Sequence, residues 1–292
     1  MSKPNISAHH PAWQELRIFS KLSNTDEDIA SNVKHALTRN LPSLRTVEGK
    51  YQGAAAIVGS GPSLKKNWRE LQDFDGDIIA CNASCQFLLE KGITPKWMFC
   101  FDADPLMLEF ITPKQEITYL IGSRCPPKTF DMLAGCHVIC WHANGDRDIE
   151  EILQQAGLFE EPMVNGGTAA VTRCMLLAPF LGYKELHLYG ADSSYSEGDT
   201  HIRQSTTKEK WLAVRVGWKT FWCAPWMAQQ AEDFKIVAPQ LKHLNKVRLV
   251  VHGTGIIPHL ALMMGYEADF LPRVENFVGS WRWKATELWR YL

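Results

Sequence analysis

The chain has 292 residues, 46% hydrophobic and 22% charged, with a formal net charge of -1. That length and composition belong to a globular protein with a real core. The near-neutral charge argues against nucleic acid as a partner, since such binding usually shows as a basic excess.

Residues 1–50 read as a polar, helical extension whose opening lacks the apolar core of a signal peptide. Thr25-Asp26-Glu27-Asp28 resembles a helix start, with acids in the first turn. Ile29, Val33 and Leu37 then recur at helical spacing, and Pro42 is expected to end that helix. From residue 53 short, nearly continuous apolar runs follow, as strands covered on both faces require. They span 54–58, 77–82, 97–102, 117–122, 137–142, 185–190 and 247–252. Helical stretches at 64–71, 83–91, 129–133, 148–156 and 168–181 separate most of them. This alternation predicts an α/β, Rossmann-like domain over residues 51–255, a mostly parallel sheet with helices on both faces. Residues 195–210 read as a long polar loop. Trp211, Trp218, Trp222 and Trp226 then fall at offsets of seven, four and four, the spacing of one helix face. Residues 256–292, with Trp281, Trp283, Trp289 and Tyr291, read as a Trp-rich extension that packs on the core or on a second subunit of a homo-oligomer. No apolar run is long enough to span a membrane, so a cytoplasmic location is expected. The eight cysteines lie mostly in apolar runs without CxxC or another zinc spacing, as reduced core thiols do.

Three groups of residues point to chemistry. The first strand runs into Gly59-Ser60-Gly61-Pro62-Ser63 and then a helix. Glycines allow close approach of a ligand, and the N–H groups of a helix start, capped by Ser63, face an incoming phosphate. The loop lacks the Gly-Lys-Ser/Thr of a Walker sequence and the last glycine of GxGxxG. The second group is polar residues at strand ends: Asn82, Asp102 with Asp104, Ser123 and Asp192. In an open parallel sheet these ends share the ligand-binding edge. Carboxylates there suit Mg²⁺ held against phosphate oxygens, with Asp102, Asp104 and Asp192 as the candidate ligands. The third is Asn165-Gly166-Gly167-Thr168, a second flexible turn before a helix, with Thr168 as its cap. His201, in the long loop beyond Asp192, is a candidate general base.

Taken in order, residues 57–64, Ile79-Ala80-Cys81-Asn82-Ala83, Lys91-Gly92-Ile93-Thr94-Pro95, Phe101-Asp102, Gly166-Gly167-Thr168, 181–186 and Tyr189-Gly190-Ala191-Asp192 with Thr200-His201 resemble the 6-hydroxymethylpterin diphosphokinase MptE-like domain. The resemblance covers residues 50–255 in broken blocks. It implies a Rossmann-like core and, as in archaeal members, diphosphate transfer from ATP to a hydroxymethyl pterin with Mg²⁺. Similar domains occur in Maf-type flagellin-modifying glycosyltransferases, and two of the blocks resemble bacterial sialyltransferases that use CMP-sugars. Carried over, Gly59, Gly61, Pro62 and Ser63 cradle phosphate, Asn82 contacts the nucleotide, and Asp102 and Asp192 face the reacting phosphates. Three readings follow: a diphosphokinase using ATP, a glycosyltransferase using a CMP-type donor and a sugar or small-molecule acceptor, and a non-catalytic module that binds a nucleotide or sugar phosphate.

Overall fold

The computed structural model describes residues 24–145, 147–195, 212–243 and 246–269. His201, Trp211, most of the 195–210 loop and the aromatic residues from 281 onward lie outside these residues.

Helix α1 (Asp26–Leu37) starts in a reciprocal cap: Thr25 Oγ1 accepts from the Asp28 N–H, and the Asp28 carboxylate accepts from the Thr25 N–H. The helix ends at Leu37, five residues before Pro42, so the chain stops turning without the proline. Among the described residues nine strands then form one parallel sheet. Going outward the chain makes β1 (Ala54–Val58), α2 (Leu64–Asn67), β2 (Asp77–Cys81), α3 (Ser84–Glu90), β3 (Trp97–Cys100), β4 (Thr118–Gly122), α4 (Pro127–Met132), β5 (His137–Ala143), α5 (Arg147–Gln155) and β6 (Met163–Val164). Helix α6 (Ala170–Leu181) returns it to the other side of β1 as β7 (Glu185–Tyr189). A hairpin of β8 (Leu212–Val216) and β9 (Lys219–Cys223) follows, then α7 (Pro225–His243), β10 (Arg248–His252), α8 (Ile256–Met263) and β11 (Glu267–Asp269). The strand order is β11-β10-β7-β1-β2-β3-β4-β5-β6. The direction of winding therefore reverses between β1 and β7, where loops leaving the carboxyl ends diverge and open α/β sheets bind ligands.

The apolar runs became strands because both faces are covered. Ile57, Ile79, Phe99 and Trp141 pack with α1, α6 and α7 on one face, and Val58, Met98, Tyr119 and Ile121 pack on the other. Residues 24–50 and 256–269 share this core and sheet: Ile29, Val33 and Leu44 join the first layer, and β11 extends the sheet beyond β10. All eight cysteines are free thiols.

The tryptophan spacing misled. Trp218 and Trp222 lie not on a helix but in an antiparallel hairpin, with Trp218 in the turn and Trp222 on β9. Gly217, at φ 56°, makes that two-residue turn possible. The alternation Leu212-Ala213-Val214-Arg215-Val216 is a strand period and outweighs three tryptophan offsets. Trp226 belongs to α7.

Candidate functional site at the carboxyl edge of the sheet

At the switch point the two loops are held together. Gly59 N–H donates to the Tyr189 carbonyl and Gly61 N–H to the Gly190 carbonyl, each at 2.7 Å. A Cβ on Gly59 or Gly61 would lie 2.6 Å from the Gly190 carbonyl oxygen, so both glycines are required by backbone meeting backbone. The Ser63 N–H, expected to face a phosphate, donates to Asp192 Oδ2 at 2.7 Å. Asp192 is 2% exposed. Its Oδ1 is buried without a bond of comparable geometry. Burial pushes its carboxyl up, opposed by donors from Ser63 and from the N–H groups of Thr254 and Gly255 in the loop after β10. One carboxylate thus ties three strand-end loops, and Ser193 beside it takes a left-handed backbone at φ 49°. Ser63 makes no side-chain cap to α2.

The other half of the edge is arranged differently. Asn82, half-buried, has φ 52°, and its Oδ1 accepts from Cys100 Sγ at 3.0 Å; it does not cap α3. Asp102 is exposed, and its Oδ1 accepts from the Asp104 N–H. Asp104 in turn starts the short 3-10 turn at Pro105–Phe110, accepting from the Leu106 N–H. Ser123 is fully buried, and its hydroxyl lies 2.9 Å from His142 Nδ1. Burial lowers His142 to about 4, so the imidazole is neutral at pH 7. Phe101 carries two guanidinium groups near its ring, Arg173 at 5.0 Å and Arg124 at 5.7 Å. Helix α1 and the residue before its cap brace this half: Asn24 Nδ2 donates to the Ala103 carbonyl and Asn32 Nδ2, on α1, to the Arg124 carbonyl.

The second glycine turn is also closed from within. Thr168 does not cap α6, whose N-cap is Ala169. Instead the Thr168 N–H and hydroxyl both donate to Asp233 Oδ2 on α7, each at 2.7 Å. A Cβ on Gly167 would lie 2.3 Å from the Asp233 carboxyl carbon, so the carboxylate fills the space the glycine leaves.

Asp102 and Asp192 stand at the ends of β3 and β7, three strand spacings apart, or about 14 Å. Asp192 is turned into its loops, so one ion between these two is not supported. Among the described residues no three His, Cys, Asp or Glu side chains gather as a metal-binding group. Mg²⁺ needs only one or two carboxylates beside phosphate oxygens, and exposed Asp102 with Asp104 fits that demand where Asp192 does not. Sequence reasoning missed the Gly253-Thr254-Gly255 loop, Asp233 and Arg173. The first follows a strand with two glycines and was detectable; the other two sit inside helices with no local signal.

The profile of the 6-hydroxymethylpterin diphosphokinase MptE-like family matches residues 27–198, more than half of the chain. The chain belongs to this family. No curated protein matches it. Among solved structures, this MptE-like chain is similar to the Maf glycosyltransferase from Magnetospirillum magneticum AMB-1, at 16% identity and a TM-score of 0.56, over 80% of this chain and 37% of that one. The two share a fold, and the chain spans little more than a third of the Maf protein's length. The sialyltransferase CstII from Campylobacter jejuni, solved with cytidine-5'-monophosphate, matches at 21% identity and a TM-score of 0.37, over 68% of this chain and 79% of that one. A mammalian sialyltransferase matches at 16% identity and a TM-score of 0.35, over 79% and 80%. Among the described residues no helix is long and apolar enough to cross a membrane.

Proposed function

We propose that this MptE-like protein is a nucleotide-dependent transferase that lays its donor along the carboxyl edge from Asn82 to Arg124 and transfers a sugar to a hydroxyl acceptor. One observation carries this reading. Of the strand-end aspartates, Asp192 is enclosed, Asp104 is half-buried and accepts from the Leu106 N–H, and Asp102 is exposed. A single open carboxylate is what glycosyl transfer needs, to accept the proton of the acceptor hydroxyl. The fold shared with a Maf glycosyltransferase over 80% of the chain supports the same class.

Diphosphate transfer from ATP is the second reading, favoured by the family's name and by Asp104 lying next to Asp102. In that case Asp102 and Asp104 would hold Mg²⁺, which when bound neutralises charge on the phosphates. Asn82 contacts the nucleotide in both readings.

The test is thermal stabilisation by CMP, CTP, ATP and GTP, each with Mg²⁺ and with a chelator, because a ligand of the native state raises the melting temperature. A shift with CMP or CTP that survives the chelator is expected. A shift with ATP alone, and only with Mg²⁺, moves the assignment to diphosphate transfer. No shift with any nucleotide overturns both.

A further inference from the structure

Near its start, helix α7 turns three polar side chains toward two strand-end loops. Met227, Ala231, Phe234 and Leu241 of the same helix go into the core. Ser193, just beyond β7, donates from its hydroxyl to Gln230 Oε1 at 3.1 Å. Gln229 Nε2 donates to Asp233 Oδ1 at 3.1 Å, and Asp233 Oδ2 takes the Thr168 turn. Each carboxamide is thus held by one of its two ends. In Gln229 the carboxylate fixes which end, because it can only accept. Left over are an acceptor, Gln229 Oε1, and a donor, Gln230 Nε2. Both residues are half-buried, and among the described residues neither atom has a partner or is shut away from solvent. The Ser194 hydroxyl, on a residue 3% exposed, is likewise unbonded among the described residues.

From this we infer that Gln229, Gln230 and Ser194 form an acceptor subsite, and that the acceptor it takes is a neutral sugar. An acceptor, a donor and a hydroxyl on neighbouring residues match vicinal hydroxyl groups, each of which gives one proton and accepts another. None of the three groups is charged. The carboxylates of Asp192 and Asp233, at the Ser63 and Thr168 turns, disfavour an anion here. Each amide is already fixed at one end, so little side-chain freedom is lost on binding. The subsite lies by β7, three strand spacings or about 14 Å from the end of β3 at Asp102. A chain of sugar rings covers that span and a single ring does not, so the acceptor is a glycan rather than a monosaccharide. The inference deepens the transferase reading and rests on it for calling this sugar the acceptor.

The experiment is saturation-transfer NMR on the full chain with the methyl pyranosides of glucose, galactose, mannose and N-acetylglucosamine, for the wild type, Gln230→Glu and Ser194→Ala. Gln230→Glu keeps the oxygen that Ser193 bonds and loses the presented N–H. Ser194→Ala removes a hydroxyl that no described residue bonds, and it carries the test if Gln230→Glu fails to fold. The wild type is expected to bind at least one glycoside. Gln230→Glu should bind it about fivefold more weakly or worse, and Ser194→Ala about threefold, the worth of one hydrogen bond to a substrate hydroxyl. The inference is overturned if the wild type binds none of the four, or if either variant that folds binds as tightly as the wild type. Glycoside binding that the variants lose, with no nucleotide raising the melting temperature, would remove the transferase reading and keep the sugar site. Nucleotide stabilisation without glycoside binding would keep the transferase and remove this subsite.

Discussion

The turns at 59–63 and 165–168 look alike in sequence, each a pair of glycines before a helix, yet they are closed by different means. The first is closed by main chain. Gly59 and Gly61 lie against the Gly190 carbonyl, and Asp192 adds its carboxylate to the Ser63 N–H. In the second, Gly166 lies against the Thr172–Arg173 main chain of its own helix, and the contact from another element is a side chain, Asp233 from α7, seated beside Gly167 and bonded to Thr168. A turn held by backbone cannot open without parting β1 from β7. In the second turn the link to another element is lost when the Asp233 side chain rotates, while Gly166 stays against α6. A glycine pair before a helix therefore marks a place where something negative comes close, and in both turns that something is the protein's own aspartate.

The largest effect should come from breaking the first closure. Gly61→Ala would place a methyl 2.5 Å from Asp192 Oδ2 and 2.6 Å from the Gly190 oxygen. Only the carboxylate can move, so the backbone contact must give. A loss of about 3 kcal/mol or more is expected, at the upper end for overpacking. Urea unfolding checks it, and a loss under about 1 kcal/mol would mean that the loops are not locked together.

The two halves of the edge should also respond to acid with opposite signs. His142 has its folded value lowered from 6.5 to about 4 by burial. Its contribution is present above pH 6.5 and is lost as the pH falls through 4, about 3 kcal/mol in all. Asp192 has its folded value raised above 3.8 by burial. Its contribution is complete below 3.8 and is lost as the pH rises through the folded value. Melting temperatures from pH 7 to 4 should then fall less steeply in His142→Gln than in the wild type, and more steeply in Asp192→Asn. Parallel curves for all three proteins would show that neither group is held as described.

How much of this was legible follows from the range of each signal. Seven of the nine parallel strands can be read from apolar runs, because cover on both faces leaves a local mark on every residue of a strand. Strand β6 has two residues and β11 has three, too few to carry a period. Helix α7 was hidden by the tryptophan offsets, which drew a helix across the hairpin and ended at Trp226, in the first turn of the real one. Asn82, Asp102, Ser123 and Asp192 were all placed at the correct strand ends. Their surroundings were not, because the partner of Asp192 is 129 residues away and that of Thr168 is 65. Ser123 reads as a ligand contact, yet it is buried against His142 for the same reason: the imidazole comes from the neighbouring strand. Sequence spacing locates the edge of a parallel sheet, whereas which polar group is spent on which is decided by pairs it does not contain.

The second closure should be weaker than the first. Asp233→Ala leaves the Thr168 N–H and hydroxyl without their acceptor, an effect like the loss of a helix cap, about 1–2 kcal/mol. Asp233→Asn keeps an acceptor oxygen and should cost less. If Asp233→Ala destabilises as strongly as Gly61→Ala, the distinction between a main-chain and a side-chain closure is lost.

The smallest effect on stability should fall on the residue expected to matter most for chemistry. Asp102 is exposed and bonded only locally, to the Asp104 N–H. Asp102→Asn keeps an oxygen for that bond, so folding should change by no more than about 0.5 kcal/mol, as for other surface positions. Transfer, once a donor is known, should fall by about 100-fold or more, the usual worth of a positioned general base. Asp192→Asn should show the opposite balance, a clear loss of stability with nucleotide binding reduced only as far as the loops loosen. Melting curves and turnover measured on the same two preparations separate the roles. Equal losses of stability would mean that Asp102 is a structural residue like Asp192, and unchanged turnover in Asp102→Asn would remove it from the reaction.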